Sequence, residues 1–509
     1  MGLTLAAELA RHGVRPRIVD RLATPSPYCR AIGVTPRTLE VWEDMGVVRE
    51  MIDAGLWLTG MRSIVDGQVR DAPIDLADLP YAMLGLPQYE TERILTKHLA
   101  LFGITVERGT TLESLTQSDG TVHTTLVAAD GSREEATFRY VVGCDGAHSA
   151  VRRALGIAFD GDSFPFSFML GDVHIAWDLP RGMTLRALRP ILDSAPDMFI
   201  AIPLPEPGRY RVTMLAPPKF ASEGTGHGIQ SEQPAPGIEA LQAVADRLLS
   251  GKPALGDLRW SSIFRISMRL AAQYRQGNAF LAGDAAHIHP PTGGQGMNTG
   301  IQDAYNLAWK LALVVKGTAP ESLLESYEAE RRPVGAEVVA NTTRASQQLG
   351  RESGDTARLA ETQVLVNYRD TPWVSGIPAA TGPNAGDRVP DCVGLRRQGV
   401  GHPLRLFELI RGTEHVLLGH NVSMEALLHL RDRLRVILVV DDVAGVFDRP
   451  DVACYVDAEG QFRRIFGTGP TRLLIRPDGY VAWRGDATGD MNLADVLSRT
   501  FDRPSGHTA

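Results

Sequence analysis

The chain has 509 residues, 44% hydrophobic and 22% charged, the balance of an ordinary globular protein with room for two to four domains. A formal net charge of −8 and an isoelectric point near 5.9 exclude nucleic acid and anionic membrane as main partners. Four cysteines lie far apart with no C-x-x-C pair, which excludes a zinc ribbon or a dithiol and points to reduced thiols in a cytoplasmic protein.

The opening stretch, MGLTLAAELARHGVRPRIVDR, repeats Leu5, Ala6, Leu9 and Ala10 at helical spacing, and Gly13 stops the pattern. A short apolar strand, Ile18 and Val19, then runs into Asp20 and Arg21. Helix, glycine stop, strand and terminal carboxylate form the second half of a nucleotide-binding βαβ unit. The interval from Gly2 to Asp20 fits Gly2 as the third glycine of a G-x-G-x-x-G turn, where the carboxylate follows about 20 residues on. Taken alone, an amphipathic helix beside an unrelated strand fits equally well. The first strand and first two glycines of such a unit do not precede Gly2, so a chain that starts one motif late is expected. Glu8 and Arg11 stand where a secretory leader would have its apolar core.

TPRTLEVWEDMGV predicts a helix with Thr35 as N-cap, and a second helix is predicted from Glu92 to Leu101 with Gly103 as its stop. ITVERGTTLESL, TVHTTLVAA and EEATFRYVVGCDG alternate as strands of a meander do. The last ends in an apolar run that delivers Asp145 and Gly146 to a tight turn, where Ser149 can cap a helix carrying Arg152 and Arg153. A helix N-terminus with cationic side chains suits a pyrophosphate, although a bare Asp-Gly turn is common. Between Phe159 and Arg269, short alternating segments divided by Pro- and Gly-rich loops predict an antiparallel sheet. The polar stretch SEGTGHGIQSEQPAPG reads as a mobile loop ahead of the helix IEALQAVADRLLS.

The nucleotide-like pattern returns in GNAFLAGDAAHIHPPTGGQGMNTGIQDAYNLAWKLA. Its strand ends at Gly283 and Asp284, a carboxylate able to accept hydrogen bonds from a ribityl hydroxyl. PPTGGQGMNTG brings bare backbone past a ligand and into a helix near Gly300. A helix N-terminus aimed at the pyrimidine edge of a flavin stabilises the negative charge of the reduced ring. His287 and His289 have no third ligand nearby, so no metal is expected. LAWKLALVVKG is too short to span a bilayer and contains Lys310. A long helical tract, a linker and a small α/β unit follow. The strand order of this unit is thioredoxin-like, without a redox cysteine pair.

In this order, the first βα segment, the Asp-Gly turn and the Gly-Asp turn resemble the single-component FAD-dependent aromatic hydroxylases, flavoprotein monooxygenases similar to p-hydroxybenzoate and phenol hydroxylase. CRAIGVTPRTLEVWEDMGV and PQYETERILTKHL match as well, so the likeness runs from Gly2 to about Arg344. The C-terminal domain resembles that of the phenol and aromatic-polyketide hydroxylases. The resemblance implies an α/β protein: a Rossmann-like three-layer FAD-binding domain in two parts (1–158 and 270–370) with an antiparallel-sheet substrate domain (159–269). A linker (371–384) and a thioredoxin-like domain (385–509) complete it.

The resemblance also implies roles. Gly2, Asp20 and Arg21 would serve the nucleotide end of FAD, Arg30 the pyrophosphate, and Gln88 the ribityl chain together with Gly283 and Asp284. Asp145, Gly146, Ser149 and Arg152 would serve both FAD and the nicotinamide cofactor. Pro291, Gly293 and Asn298, with Gly294, Gly296 and Met297, would line the isoalloxazine where catalysis occurs; no catalytic base stands out. NADPH or NADH would be a transient electron donor, since no second G-x-G-x-x-G turn follows a strand. Oxygen would add to the reduced flavin as a 4a-hydroperoxyflavin that attacks an electron-rich ring in a dry pocket. The expected partners are a small aromatic molecule and O₂, with no nucleic acid or membrane; a homodimer is compatible. Two rival expectations are a Baeyer–Villiger or epoxidising oxygenase on a polycyclic ketone or quinone, and an FAD-deficient, non-catalytic binding protein.

Overall fold

A computed structural model describes residues 1–26, 31–191, 197–217, 220, 235–290, 294–347, 359, 361–397, 400–442, 452–487 and 489–501. The chain divides into two compact units. One comprises Met1–Ala7, Pro16–Ala304 and Arg332–Gln363, the other Glu8–Arg15, Tyr305–Arg331 and Val364–Ala509. Most of the predicted loop at 222–237 lies outside the described residues.

The opening helix, Gly2–Arg11, buries Leu5, Ala6 and Leu9, and Gly13 ends it at φ +78°. In the first unit Val19–Asp20 pairs in parallel with Glu107–Arg108, and Val141–Gly143 in parallel with Ala279–Leu281. The strands that deliver the Asp-Gly and Gly-Asp turns are therefore neighbours. The helix expected from Glu92 starts earlier, at Gln88, and ends at Ala100. Pro87 sets its entry, and Gln88 reaches Glu92 one turn on at 2.7 Å.

The dominant feature of this unit is an eight-stranded sheet. Its strands run in the spatial order His287–Ile288, Leu255–Ala271, Phe159–Ile175, Arg209–Leu215, Asp197–Pro203, Met183–Arg189, Gly60–Val65 and Gln68–Pro73. All neighbours are antiparallel except Met183–Arg189 with Gly60–Val65. The sheet thus recruits a hairpin and a short edge strand from outside 159–269. The hairpin was not readable because QVRDAP is exposed at every position and shows no alternation; its turn is Asp66-Gly67, both at positive φ.

Alternation divides the sheet into two faces. Met169, Val173, Phe199, Val212 and Ile263 pack against the helix Ile238–Leu248 through Leu241, Val244 and Ala245. Gly171 allows the close approach, because a Cβ there would lie 2.8 Å from Leu241. The opposite face carries Phe168, Leu170, Met198, Phe264 and Ile266, with Phe164, Phe166 and Trp260 packed beside them.

The second unit holds a mixed eight-stranded sheet. At its centre Val416–His420 lies parallel to Arg435–Val440 and antiparallel to Thr471–Ile475, which forms a hairpin with Val481–Gly485. That is a thioredoxin-like arrangement. Cys392 and Cys454 are buried, and burial pushes the Cys392 thiol above its ordinary range. No helix among the described residues is long and apolar enough to cross a membrane.

A cluster of four buried charges also belongs to this unit. The Arg476 guanidinium donates to both Glu330 oxygens at 2.6 and 2.9 Å and to both Asp478 oxygens at 2.9 and 2.5 Å. Lys310 Nζ and Asn306 Nδ2 each donate to Glu330 Oε2 at 2.7 Å. Burial alone would push the Glu330 carboxyl up; Arg476 and Lys310 outweigh it and hold the group at about 2. Burial draws Lys310 down to about 8.

Nearby, His415 lies edge-on to Trp309 and Phe501. Burial, and then repulsion from Arg476, lowers its pKa from 6.5 to about 3. The unfolded chain takes up this proton as pH falls through 6.5 while the folded chain does not, so stability present above that value is lost below it. Between pH 7 and pH 5 the loss is about 2 kcal/mol. Urea denaturation at the two pH values checks this: His415→Phe, which suits the aromatic site, should remove about that much of the pH dependence. An unchanged pH dependence would contradict the buried neutral state.

Candidate active site

The strand Ala279–Leu281 is wholly buried and leads into a 3-10 turn, Gly283–Ala285, with Gly283 at φ +63°. Asp303, on the helix Gln295–Val315, holds this turn. Its Oδ2 accepts from the Gly283 N–H at 3.1 Å and lies 2.7 Å from His287 Nε2. His287 therefore has an internal partner. Asp284 sits half-buried between buried Gly283 and Ala285.

The helix after this turn starts at Gln295 rather than near Gly300, which places Met297 and Asn298 in its first turn. Asn298 is buried, and its amide bonds three backbone groups on two segments. Oδ1 accepts from Thr35 N–H at 3.0 Å, while Nδ2 donates to the carbonyls of Gly33 and Gly294 at 2.8 and 2.7 Å. Thr35 is the N-cap of Pro36–Met45 by position, but its hydroxyl turns to Thr38 at 3.3 Å instead of capping. Gly33 and Gly294 face one another: a Cβ on Gly33 would lie 3.8 Å from Gly294 Cα, and one on Gly294 3.6 Å from Gly33 Cα.

Gln88 is tied to the same segment. Its backbone N–H donates to the Ala31 carbonyl at 3.0 Å, and its Oε1 accepts from Ala31 N–H at 3.3 Å.

The Asp-Gly turn forms as expected, with Gly146 at φ +77° and Ser149 capping the Arg152 N–H at 2.9 Å. Asp145 adds a second cap, accepting from Ala150 and Val151 N–H at 2.6 and 3.2 Å. Arg152 has internal partners: it donates to the Ala285 and Ala147 carbonyls at 2.8 Å each and lies over the Phe159 ring at 3.8 Å. This arginine ties the two turns together. Gly2 joins them from the opening helix, a Cβ there falling 3.6 Å from that of Cys144.

Asp20 accepts from Leu22 N–H and from Arg108, both at 2.9 Å, while Arg21 is exposed. Arg30, Pro291 and Gly293 lie outside the described residues.

One polar group escaped sequence reasoning. Asp172 is buried on the aromatic face of the sheet, 2.5 Å from Arg211 Nε and 2.7 Å from Trp260 Nε1. A charge at an inward position of the apolar strand FMLGDVHI was the available signal. Ile32 and Leu204 pack together with Tyr89, Ile202 and Trp260 around them, so this face meets the Ala31–Thr35 segment.

The junction fits a flat ring with a polar edge. Gly33, Gly294 and Gly296 leave backbone bare, and the N-terminus of the helix Gln295–Val315 lies beside them. Bare backbone beside a helix N-terminus suits the polar edge of a flavin. The family described as FAD binding domain matches residues 1–342, and aromatic-ring hydroxylase, C-terminal, matches residues 382–504. The chain belongs to this family: it is an FAD-dependent aromatic monooxygenase.

It is 33% identical, over 99% of its length and 97% of the relative, to 12-dehydrotetracycline 5-monooxygenase/anhydrotetracycline 6-monooxygenase of Streptomyces rimosus. To pentachlorophenol 4-monooxygenase of Sphingobium chlorophenolicum it is 30% identical, covering 98% of this chain and 94% of that one. The ternary complex of aklavinone-11 hydroxylase with FAD and aklavinone aligns with a TM-score of 0.78 at 27% identity, covering 99% and 97% of the two chains.

Proposed function

We propose that the enzyme uses NAD(P)H and O₂ to hydroxylate a phenolic or polycyclic aromatic substrate held against the aromatic face of the eight-stranded sheet. When bound, FAD supplies the redox chemistry, taking a hydride from the nicotinamide and delivering one oxygen atom of O₂ to the ring. The protein's part is to bind, orient and exclude water. Asp20 and Arg21 serve the ribose and Asp284 and Gln88 the ribityl chain. Arg30 serves the pyrophosphate; Asp145, Gly146 and Ser149 shape the adjoining turn, which Arg152 holds to Ala285. Pro291, Gly293 and Gly294–Asn298 line the ring.

The observation that carries this reading is the Asn298 clasp, which sets a helix N-terminus and bare glycine backbone beside an apolar, aromatic sheet face. The phenylalanine row on that face, Phe164, Phe166, Phe168 and Phe264, has ring centroids 5.3 to 5.6 Å apart and suits a planar ligand kept from water. The relatives named above act on chlorophenol and tetracycline rings by their own names, which supports the same chemistry here.

NAD(P)H oxidation by the FAD-loaded protein, measured across a panel of phenols and quinone polyketides, tests the proposal. Oxidation should be slow alone and accelerate with a substrate, with matching O₂ uptake and a product one oxygen heavier whose ring is intact. Rapid oxidation indifferent to every aromatic would make it an oxidase or reductase instead.

A further inference from the structure

His289 stands where the two halves of the site meet. The preceding residues, His287–Ile288, form the edge strand of the substrate sheet and pair with Arg269 and Leu270. A few residues later the chain enters the helix whose first turn carries Gly296 and Asn298. His289 Nδ1 lies 2.8 Å from the Pro290 carbonyl. A carbonyl can only accept, so Nδ1 carries the ring proton and Nε2 is left as a lone-pair acceptor. That Nε2 is buried and has no hydrogen-bond partner among the described residues. It faces Gly296, where a Cβ would lie 3.5 Å away. Burial, and then repulsion from His287, lowers the ring from 6.5 to about 4, keeping it neutral and accepting. A buried acceptor without a donor is costly in a folded protein and calls for a ligand to supply one.

We propose that His289 is a substrate-orienting residue whose Nε2 accepts a hydrogen bond from a hydroxyl on the aromatic substrate. This rests on the hydroxylase reading above and narrows it: the preferred substrates carry a free ring hydroxyl rather than an ether or bare hydrocarbon at that position. By polarising the O–H bond the hydrogen bond lets the phenolic oxygen donate more electron density into the ring, which favours attack by an electrophilic oxygen, and it fixes which ring edge faces the flavin.

The test compares 1-naphthol with naphthalene in the FAD-loaded protein. Binding is read from perturbation of the flavin absorbance, and the His289 nitrogens are followed by ¹⁵N NMR. The parent should bind naphthol about three- to tenfold more tightly than naphthalene, and naphthol alone should move the Nε2 resonance while leaving Nδ1 in place. His289→Phe should erase the preference at unchanged FAD content, and His289→Gln, which keeps an acceptor, should retain most of it. A parent without hydroxyl preference, an Nε2 resonance unmoved by naphthol, or a preference that survives His289→Phe would each overturn the proposal. Failure of the broader reading differs: NAD(P)H oxidation would then ignore every aromatic, whereas failure here leaves that stimulation intact.

Discussion

Replacing Arg476 by methionine is expected to lower the unfolding free energy by about 3–5 kcal/mol, the cost of stripping a partner from a buried charge network. The cluster holds two cations, Lys310 and Arg476, against two carboxylates, Glu330 and Asp478, and every member is buried. Removal of the guanidinium leaves a net negative charge in a site sealed from water. It also deprives Glu330 and Asp478 of four hydrogen bonds and empties a position stacked among Trp309, Tyr368 and Tyr480. Arg476→Lys keeps the charge without the planar fork and should fall between parent and methionine variant. Removing Glu330 in the methionine background should recover part of the loss, because the two residues act as a unit. Urea unfolding followed by tryptophan fluorescence reads all three. A methionine variant with the parent's midpoint would show that the cluster adds nothing to stability.

The second large effect is expected at Asn298. Leucine keeps the branched four-atom skeleton in a larger volume, so Asn298→Leu removes the hydrogen bonds and crowds the site somewhat. Three go at once, and the Thr35 N–H is left buried beside a hydrocarbon. At roughly 1 kcal/mol for each bond, with part of the loss borne by the free protein, FAD affinity should drop about ten- to hundredfold. Titration of FAD into the apoprotein, followed by quenching of flavin fluorescence, measures it. An unchanged dissociation constant would mean that the Gly33–Thr35 segment holds its place without the clasp.

Local chemistry was legible in the sequence, and distant pairing was not. Gly13 ends the first helix and Ser149 caps the helix of Arg152, because both signals depend on neighbours within four residues. Asn298 was marked as part of the ring-lining loop, but its partners Gly33 and Thr35 lie about 260 positions away, and spacing alone carries no trace of them. Arg152 read as a cation for a phosphate, yet the fold aims it at two backbone carbonyls. Glu330 and Arg476 stand 146 positions apart, and only tertiary burial makes them a pair. The start of the helix at Gln295 was displaced by a run of glycines that resembles loop in isolation but is drawn into a first turn by the Asn298 bonds.

The exposed strand Gln68–Pro73 closes one side of the substrate sheet without covering it. A bare strand edge is a template on which another chain can lay its own backbone, and in a crowded solution that is the first step toward fibrous aggregates. Here an incoming strand would have to strip water from Arg70 and Asp71, the latter held across the hairpin by Arg62 at 2.8 Å. It would also meet Pro73, which offers no N–H to pair with. The Asp66-Gly67 turn adds twist that a flat partner cannot follow. The same residues that hid this strand from sequence reading make it a poor seed for self-assembly.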